Sequence, residues 1–215
     1  MMTMSTRQAD PSPVPLQAAM VYIVDDEASM RDSLSLLLRS VGLPVKCYAS
    51  PADFIADFDP DQPGCIVLDV RMPQMSGLAL QDWLAIRKHD IPIIFISGHG
   101  DIPMAVGAMR SGAVDFIEKP IHDQKLLDSI HVAIKRHASS RTKREAEREL
   151  ERRLAPLTAR EHDVLKLLME GIATKSVARE LNLSHRTVEG YRARIFEKTG
   201  VGSLTELINL HRRAS

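Results

Sequence analysis

Five polar side chains stand where apolar runs stop. Asp25 and Asp26 follow MVYIV, Asp69 follows GCIVL, Ser97 closes IPIIFIS and Lys119 follows AVDFIE. Three carboxylates held together repel, and one takes a proton unless a cation sits among them. A hard divalent ion with oxygen ligands suits such a set; magnesium keeps several waters and takes one or two carboxylates. Lys119 adds a fixed positive charge, and Ser97 can donate a hydrogen bond to an anion. Metal and ammonium would neutralise charge on a transferring phosphoryl group while a nucleophile attacks in line. A strand-end aspartate can itself be that nucleophile, giving an acyl phosphate. Taken singly, each residue has a plainer use: Asp after a strand is commonly a turn or cap residue, and Ser97 before Gly98 is ordinary turn chemistry. The chemistry requires a fold that brings them together.

The surrounding pattern supplies one. MVYIVDD, PVKCYAS, GCIVLDV, IPIIFISGHG and AVDFIEK read as five strands. Between them lie helical patterns: SMRDSLSLLLRSVG, with Gly42 as a stop, PADFIADF, Gly77 to His89, and a helix that Asp101 can cap and that reaches Ser111. A last helix, capped by Asp123, shows Leu126, Leu127, Ile130 and Ile134 on one face. Strands alternating with helices imply a parallel, doubly wound sheet, whose strands read as near-continuous apolar runs. All carboxyl ends of such a sheet share one edge, and ligands bind there where strand order reverses. The five polar residues therefore converge on one pocket.

Over 20–135 there are 10 Lys/Arg against 16 Asp/Glu, a net of −6, whereas 151–215 carries 12 against 8, a net of +4. An acidic front and a basic back imply two domains with different partners. Residues 1–19 are polar and Pro-rich, without the apolar core of a signal peptide, and read as a disordered tail. No apolar run is long enough to span a bilayer. Cys47 and Cys65 form no CxxC pair; both read as buried free thiols of a reducing cytoplasm. The histidines show no zinc spacing. Residues 136–153 are rich in helix formers and mixed charge, without Gly or Pro, and read as a helical linker continuing the last helix. Leu150, Leu154 and Leu157 suggest a short packing seam.

From 154 to 215 the pattern is helical. Thr158 to Glu161 is a T-x-x-E capping box, Val164, Leu165, Leu168 and Met169 form an apolar face, and Gly171 ends the helix. Thr174 reads as the cap of a second helix, Ser184 of a third carrying Val188, Tyr191 and Ile195, and Ser203 of a fourth. The second and third form a helix-turn-helix. At 100° per residue Ile195 returns to the azimuth of Val188, the buried side. Arg186, Gly190, Ala193, Arg194 and Glu197 then face outward, with Thr187, Glu189 and Lys198 on the flanks; Arg192 adds another cation. Gly190 and Ala193 let the helix approach a groove floor closely. Basic residues can neutralise phosphates, and Arg186, Arg194 or Glu189 can read base edges. A small helical interaction domain with solvated charges has the same spacing.

VDD, LDVRMPQMSG, ISGHGDIPMAVGAMRSGAVDFIEKP and the trailing helix resemble, in order, the receiver domain of two-component response regulators over 20–135. LTAREHDVLKLLMEGIATKSVARELNLSHRTVEGYRARIFEKTGV resembles the LuxR-type helix-turn-helix domain. Together they resemble regulators of the FixJ/NarL type. The resemblance implies a flavodoxin-like receiver followed by an all-α DNA-binding domain. It implies that Asp69 accepts phosphate from a sensor histidine kinase. Asp26, Asp69 and the backbone carbonyl of Arg71 would bind Mg2+, with Asp25 assisting. Ser97 and Lys119 would sense the phosphoryl group, Phe116 would be the switch aromatic, and Lys119-Pro120 would be cis. Ser97 and Phe116 stand where the family often has Thr and Tyr; Ser keeps the hydroxyl, whereas Phe can contribute only packing. Expected partners are double-stranded promoter DNA, a second copy of the chain on phosphorylation, and RNA polymerase. The expected function is a cytoplasmic, phosphorylation-controlled transcription factor, with only autophosphotransfer and slow autodephosphorylation of its own. Two rivals remain: a magnesium-dependent phosphohydrolase with an aspartyl nucleophile, which would want an acid where Arg71 stands, and a constitutive DNA binder with a purely structural receiver.

Overall fold

The computed structural model describes residues 19–98 and 102–214. The expected tail up to residue 18 and the cap at Asp101 lie outside them. Contacts divide the chain into two compact units between Ser139 and Ser140.

The first unit alternates β1 (Met20–Val24), α1 (Ala28–Ser40), β2 (Val45–Tyr48), α2 (Pro51–Asp57), β3 (Gly64–Asp69), α3 (Gly77–Ile86), β4 (Ile93–Ser97), α4 (Ile102–Arg110) and β5 (Asp115–Glu118). All strand pairs are parallel, in the order β2-β1-β3-β4-β5. Alternation along the strands divides the core in two. Val21, Ile23, Cys65, Val67, Ile94 and Ile96 pack with Leu34, Leu38, Leu126 and Ile130 on one face. Tyr22, Val24, Ile66, Leu68 and Phe95 pack with Phe54, Leu80 and Leu84 on the other. Burying each such side chain contributes about 1.5–3 kcal/mol, which binds the helices to both faces. Ala19, assigned above to the tail, is fully buried in the first cluster.

Cys65 is buried, but Cys47 is exposed, because β2 is an edge strand covered on fewer sides than β3. Helix α3 stops at Ile86 rather than His89; the turn after it passes through Lys88 at φ 59°.

Helix α5 runs unbroken from Asp123 to Leu154, so the 136–153 segment is helical as its composition suggests. Asp123 is its first residue and supplies a carboxylate to the first turn. Leu150 and Leu154 pack against the core of the second unit, as does the buried Leu157. That unit contains α6 (Ala159–Met169), α7 (Thr174–Glu180), α8 (His185–Thr199) and α9 (Leu204–Ala214), around Val164, Leu165, Leu168, Val177, Val188, Ile195 and Leu207. Thr174 opens α7 but does not cap it; Ala173 holds the cap position without a side-chain bond.

The capping box forms: Glu161 Oε2 accepts from the Thr158 amide at 2.8 Å, and Thr158 Oγ1 accepts from the Glu161 amide at 3.4 Å. Lys198 of α8 donates to the same Oε2 at 2.7 Å. Lys198 first, then Thr158, holds the Glu161 carboxyl down to about 2. A carboxyl depressed on folding stabilises the fold above its unfolded pKa and loses that contribution as pH falls through the folded value. We expect acid titration from the ordinary glutamate range toward about 2 to destabilise this unit progressively. Glu161→Gln should flatten that part of the profile; an unchanged circular-dichroism profile would refute it.

Candidate functional site

Strands β1 and β3 are neighbours, yet β1 leads outward to β2 on one side and β3 to β4 on the other. This is the point where strand order reverses and a crevice opens at the carboxyl ends. Asp25 follows β1 and Asp69 ends β3, and only 2% and 7% of their surfaces are exposed. The Lys119 ammonium bridges them, 3.2 Å from Asp25 Oδ2 and 3.0 Å from Asp69 Oδ1. Backbone amides hold the other oxygens: Glu27 donates to Asp25 Oδ1 at 2.8 Å, and Arg71 to Asp69 Oδ2 at 2.7 Å.

Two carboxylates thus share one cation. Burial pushes the Asp69 carboxyl above the usual range, and Asp25 adds to the push; Lys119 and the Arg71 amide oppose it without prevailing. Burial alone would lower the Lys119 ammonium, but Asp69 and Asp25 outweigh it and hold the proton on. Ser97, buried at the end of β4, accepts the Lys119 amide through its carbonyl at 2.8 Å. The Lys119-Pro120 peptide is cis. Phe116 lies half-buried on β5 beside Phe95, with ring centroids 6.2 Å apart.

The loop after Asp69 is fastened at both ends. The Val70 amide donates to Ile96 O at 3.1 Å, and the Gly77 amide to Val70 O at 3.0 Å. A Cβ on Gly77 would lie 2.2 Å from the Asp69 carbonyl oxygen, so only glycine lets α3 start there. Gly77→Ala should therefore cost about 1–3 kcal/mol of stability by forcing the backbone apart. Equilibrium denaturation checks this; a change within 0.5 kcal/mol, the ordinary range of a surface substitution, would contradict it.

Asp26 is not drawn in with the others: it is exposed. Among the described residues, no three Asp, Glu, His or Cys side chains form a ready cage for a metal ion. The donor set still fits a hard ion. It is all oxygen, and its two buried carboxylates exceed the charge of one ammonium. Such a half-built site suits an ion that brings its own waters.

In the second unit, Ser184 caps α8 by accepting from the Thr187 amide at 3.0 Å, and Gly200 closes it at φ 68°. Val188, Ile195 and Thr199 are buried. Arg186, Glu189, Gly190, Ala193 and Arg194 are exposed, and Thr187 and Arg192 are half-buried. Arg194 stacks over Tyr191 at 4.7 Å and donates to the Gly190 carbonyl at 3.3 Å. Arg192 pairs with Glu189 at 3.3 Å. Lys198 is also exposed, and its ammonium is bound to the α6 cap at Glu161.

Residues 21–131 match the response regulator receiver domain, and residues 155–211 match the bacterial regulatory proteins of the luxR family. The transcriptional regulatory protein FixJ of Azorhizobium caulinodans is 42% identical over 190 residues, spanning 88% of this chain and 90% of FixJ. The chain belongs to the FixJ/NarL-type response regulators. The response regulator protein TodT of Pseudomonas putida is 43% identical over 197 residues, 92% of this chain and 87% of TodT. The solved structure of the response regulator StyR covers 91% of this chain and is itself covered to 99%, at 42% identity and a TM-score of 0.77.

This response regulator therefore carries a receiver and a LuxR-type DNA-binding domain, and is a transcription regulator rather than a typical enzyme. A receiver implies a sensor-kinase partner, and receivers generally bind Mg2+ at the acidic pocket. Among the described residues, no helix is long and apolar enough to cross a membrane. His137 of this response regulator escaped sequence reasoning. One of the histidines without zinc spacing, it is 3% exposed and joins α5 to the start of β3, its Nδ1 lying 2.8 Å from Gly64 O. A lone histidine in a charged helix gives no signal of a partner 73 residues away.

Proposed function

We propose that this chain is a phosphorylation-dependent transcription factor in which Asp69 takes a phosphoryl group from a sensor histidine kinase. The observation that carries the reading is the Lys119 ammonium shared between Asp25 and Asp69 at the β1/β3 reversal. An Asp69 oxygen forms a bond to phosphorus as the phosphorus–nitrogen bond of the kinase phosphohistidine breaks; the imidazole leaves with the electron pair. Lys119 neutralises charge on the incoming phosphoryl oxygens, and the Arg71 amide orients the carboxylate. Asp26, Asp69 and the Arg71 carbonyl would hold Mg2+, with Asp25 assisting. When bound, the ion would neutralise further phosphoryl charge.

Ser97 donates its hydroxyl to the new phosphoryl group, and Phe116 turns inward beside Phe95 to fill the space behind it. The change alters the face formed by α4 and β5. That face exposes Ile102, Val106 and Met109, and it pairs two receivers. Pairing carries two copies of α8 to half-sites about one helical turn apart on promoter DNA. Arg186, Thr187, Glu189, Gly190, Arg192, Ala193 and Arg194 form the DNA face, in a cytoplasmic complex with RNA polymerase as further partner. The deciding experiment measures dimerisation and DNA binding with and without acetyl phosphate and Mg2+, in the wild type and in Asp69→Asn.

A further inference from the structure

The carboxamide of Gln81 is almost fully enclosed, at 5% exposure, between α3 and α4. Its Nε2 donates to two carbonyls at the end of α4, Ala108 O at 3.1 Å and Ser111 O at 3.3 Å. The last carbonyls of a helix have no partner within it. Here local closure serves some of them: Gly112, at φ 95°, donates to Met109 O, and the Ala113 amide donates to Ala108 O. Gln81 adds a tie from a different helix. The chain then enters β5 through the Val114 amide, bonded to Ile93 O at 2.8 Å. The C-terminal end of α4 is therefore fastened to α3 and to the sheet. Its opposite end carries Ile102, 77% exposed.

Helix α3 is in turn fixed to the acidic pocket. Its first residue, Gly77, bonds to Val70 O and abuts the Asp69 carbonyl. Gln81 lies one turn later on the same buried side. Asp69, the first turn of α3, Gln81 and the end of α4 thus form a continuous chain of direct contacts.

We infer that Gln81 is a positioning residue: it pins the C-terminal turn of α4 to α3, so that activation swings α4 about that end and presents Ile102, Val106 and Met109 in a pairing geometry. The inference rests on the phosphorylation-dependent pairing proposed above. A purely structural role would predict a loss of stability and nothing more.

The test uses the full chain with acetyl phosphate and Mg2+. Gln81→Met keeps the length of the side chain and removes its donor. Phosphoryl incorporation at Asp69 should proceed at the wild-type rate. Dimerisation of the phosphorylated protein, read by sedimentation, should weaken roughly tenfold for the two lost bonds. Gln81→Glu, which turns a carboxylate toward the same carbonyls, should weaken it further. Full phosphorylation with dimerisation within twofold of wild type, whatever the thermal midpoint, overturns the inference. Wild-type NMR gives a reading that needs no variant. On phosphorylation the amides of 102–106 should shift more than those of 108–113, and the reverse order overturns it. A wild type that takes up no phosphate or does not pair refutes the underlying proposal instead, and so separates the two failures.

Discussion

Asp69→Asn should abolish phosphoryl incorporation and, with it, every response of dimerisation and DNA binding to acetyl phosphate. The carboxamide keeps the shape but lacks the anionic oxygen that attacks phosphorus. Wild type should gain at least about fivefold to tenfold in DNA affinity on phosphorylation, the lower part of the usual range for coupled sites. The variant should gain nothing. Its fold should not suffer. Asp69 is a buried carboxylate sharing one ammonium with Asp25, and burial and Asp25 both push its carboxyl upward. Replacing it removes a desolvated charge and one source of repulsion, while Lys119 keeps Asp25 at 3.2 Å. The thermal midpoint of the unphosphorylated variant should therefore equal or exceed that of wild type. Radiolabel transfer, sedimentation and a thermal melt make the three measurements. A variant that still answers acetyl phosphate would refute the role of Asp69, whereas a wild type that does not answer it would revive the constitutive binder with a structural receiver.

The convergence of Asp25, Asp69, Ser97 and Lys119 was legible because a parallel sheet puts every carboxyl end on one edge. Strand identity and direction suffice for that, and short apolar runs alternating with helical periods reveal both. Strand order is less legible. Cys47 and Cys65 sit in similar apolar runs, and only the placement of β2 at the edge separates an exposed thiol from a buried one. Asp26 shows the same limit at finer scale. Adjacent residues at a strand end point to opposite sides, so Asp25 meets Lys119 while Asp26 stays exposed. What the sequence hid most fully were polar ties to distant backbone, such as Gln81 to Ala108 and His137 to Gly64. Backbone carbonyls occur at every position, so no residue pattern marks the ones that will be used.

Helix α8 sets the second large expectation, because Arg194 and Lys198 are both cations on its outer side but should behave differently. Arg194 is exposed and held ready by Tyr191 and the Gly190 carbonyl. Arg194→Ala should weaken promoter binding about tenfold, within the range for loss of one good arginine contact. If its partner is a phosphate, the slope of log affinity against log salt should fall by about 0.9. If its partner is a base edge, that slope should hold while discrimination at one base pair collapses. Lys198 is already committed to the carboxylate that caps α6. Lys198→Ala should therefore lower the thermal midpoint of the DNA-binding domain and leave the affinity of folded protein within about twofold, with the salt slope unchanged. Titrations of both variants at several salt concentrations, beside melts, separate these outcomes. Should Lys198→Ala reduce the salt slope while Arg194→Ala alters neither affinity nor specificity, the DNA face of α8 would have to be turned toward its C-terminal flank. The Glu161 contact would then be one that DNA displaces.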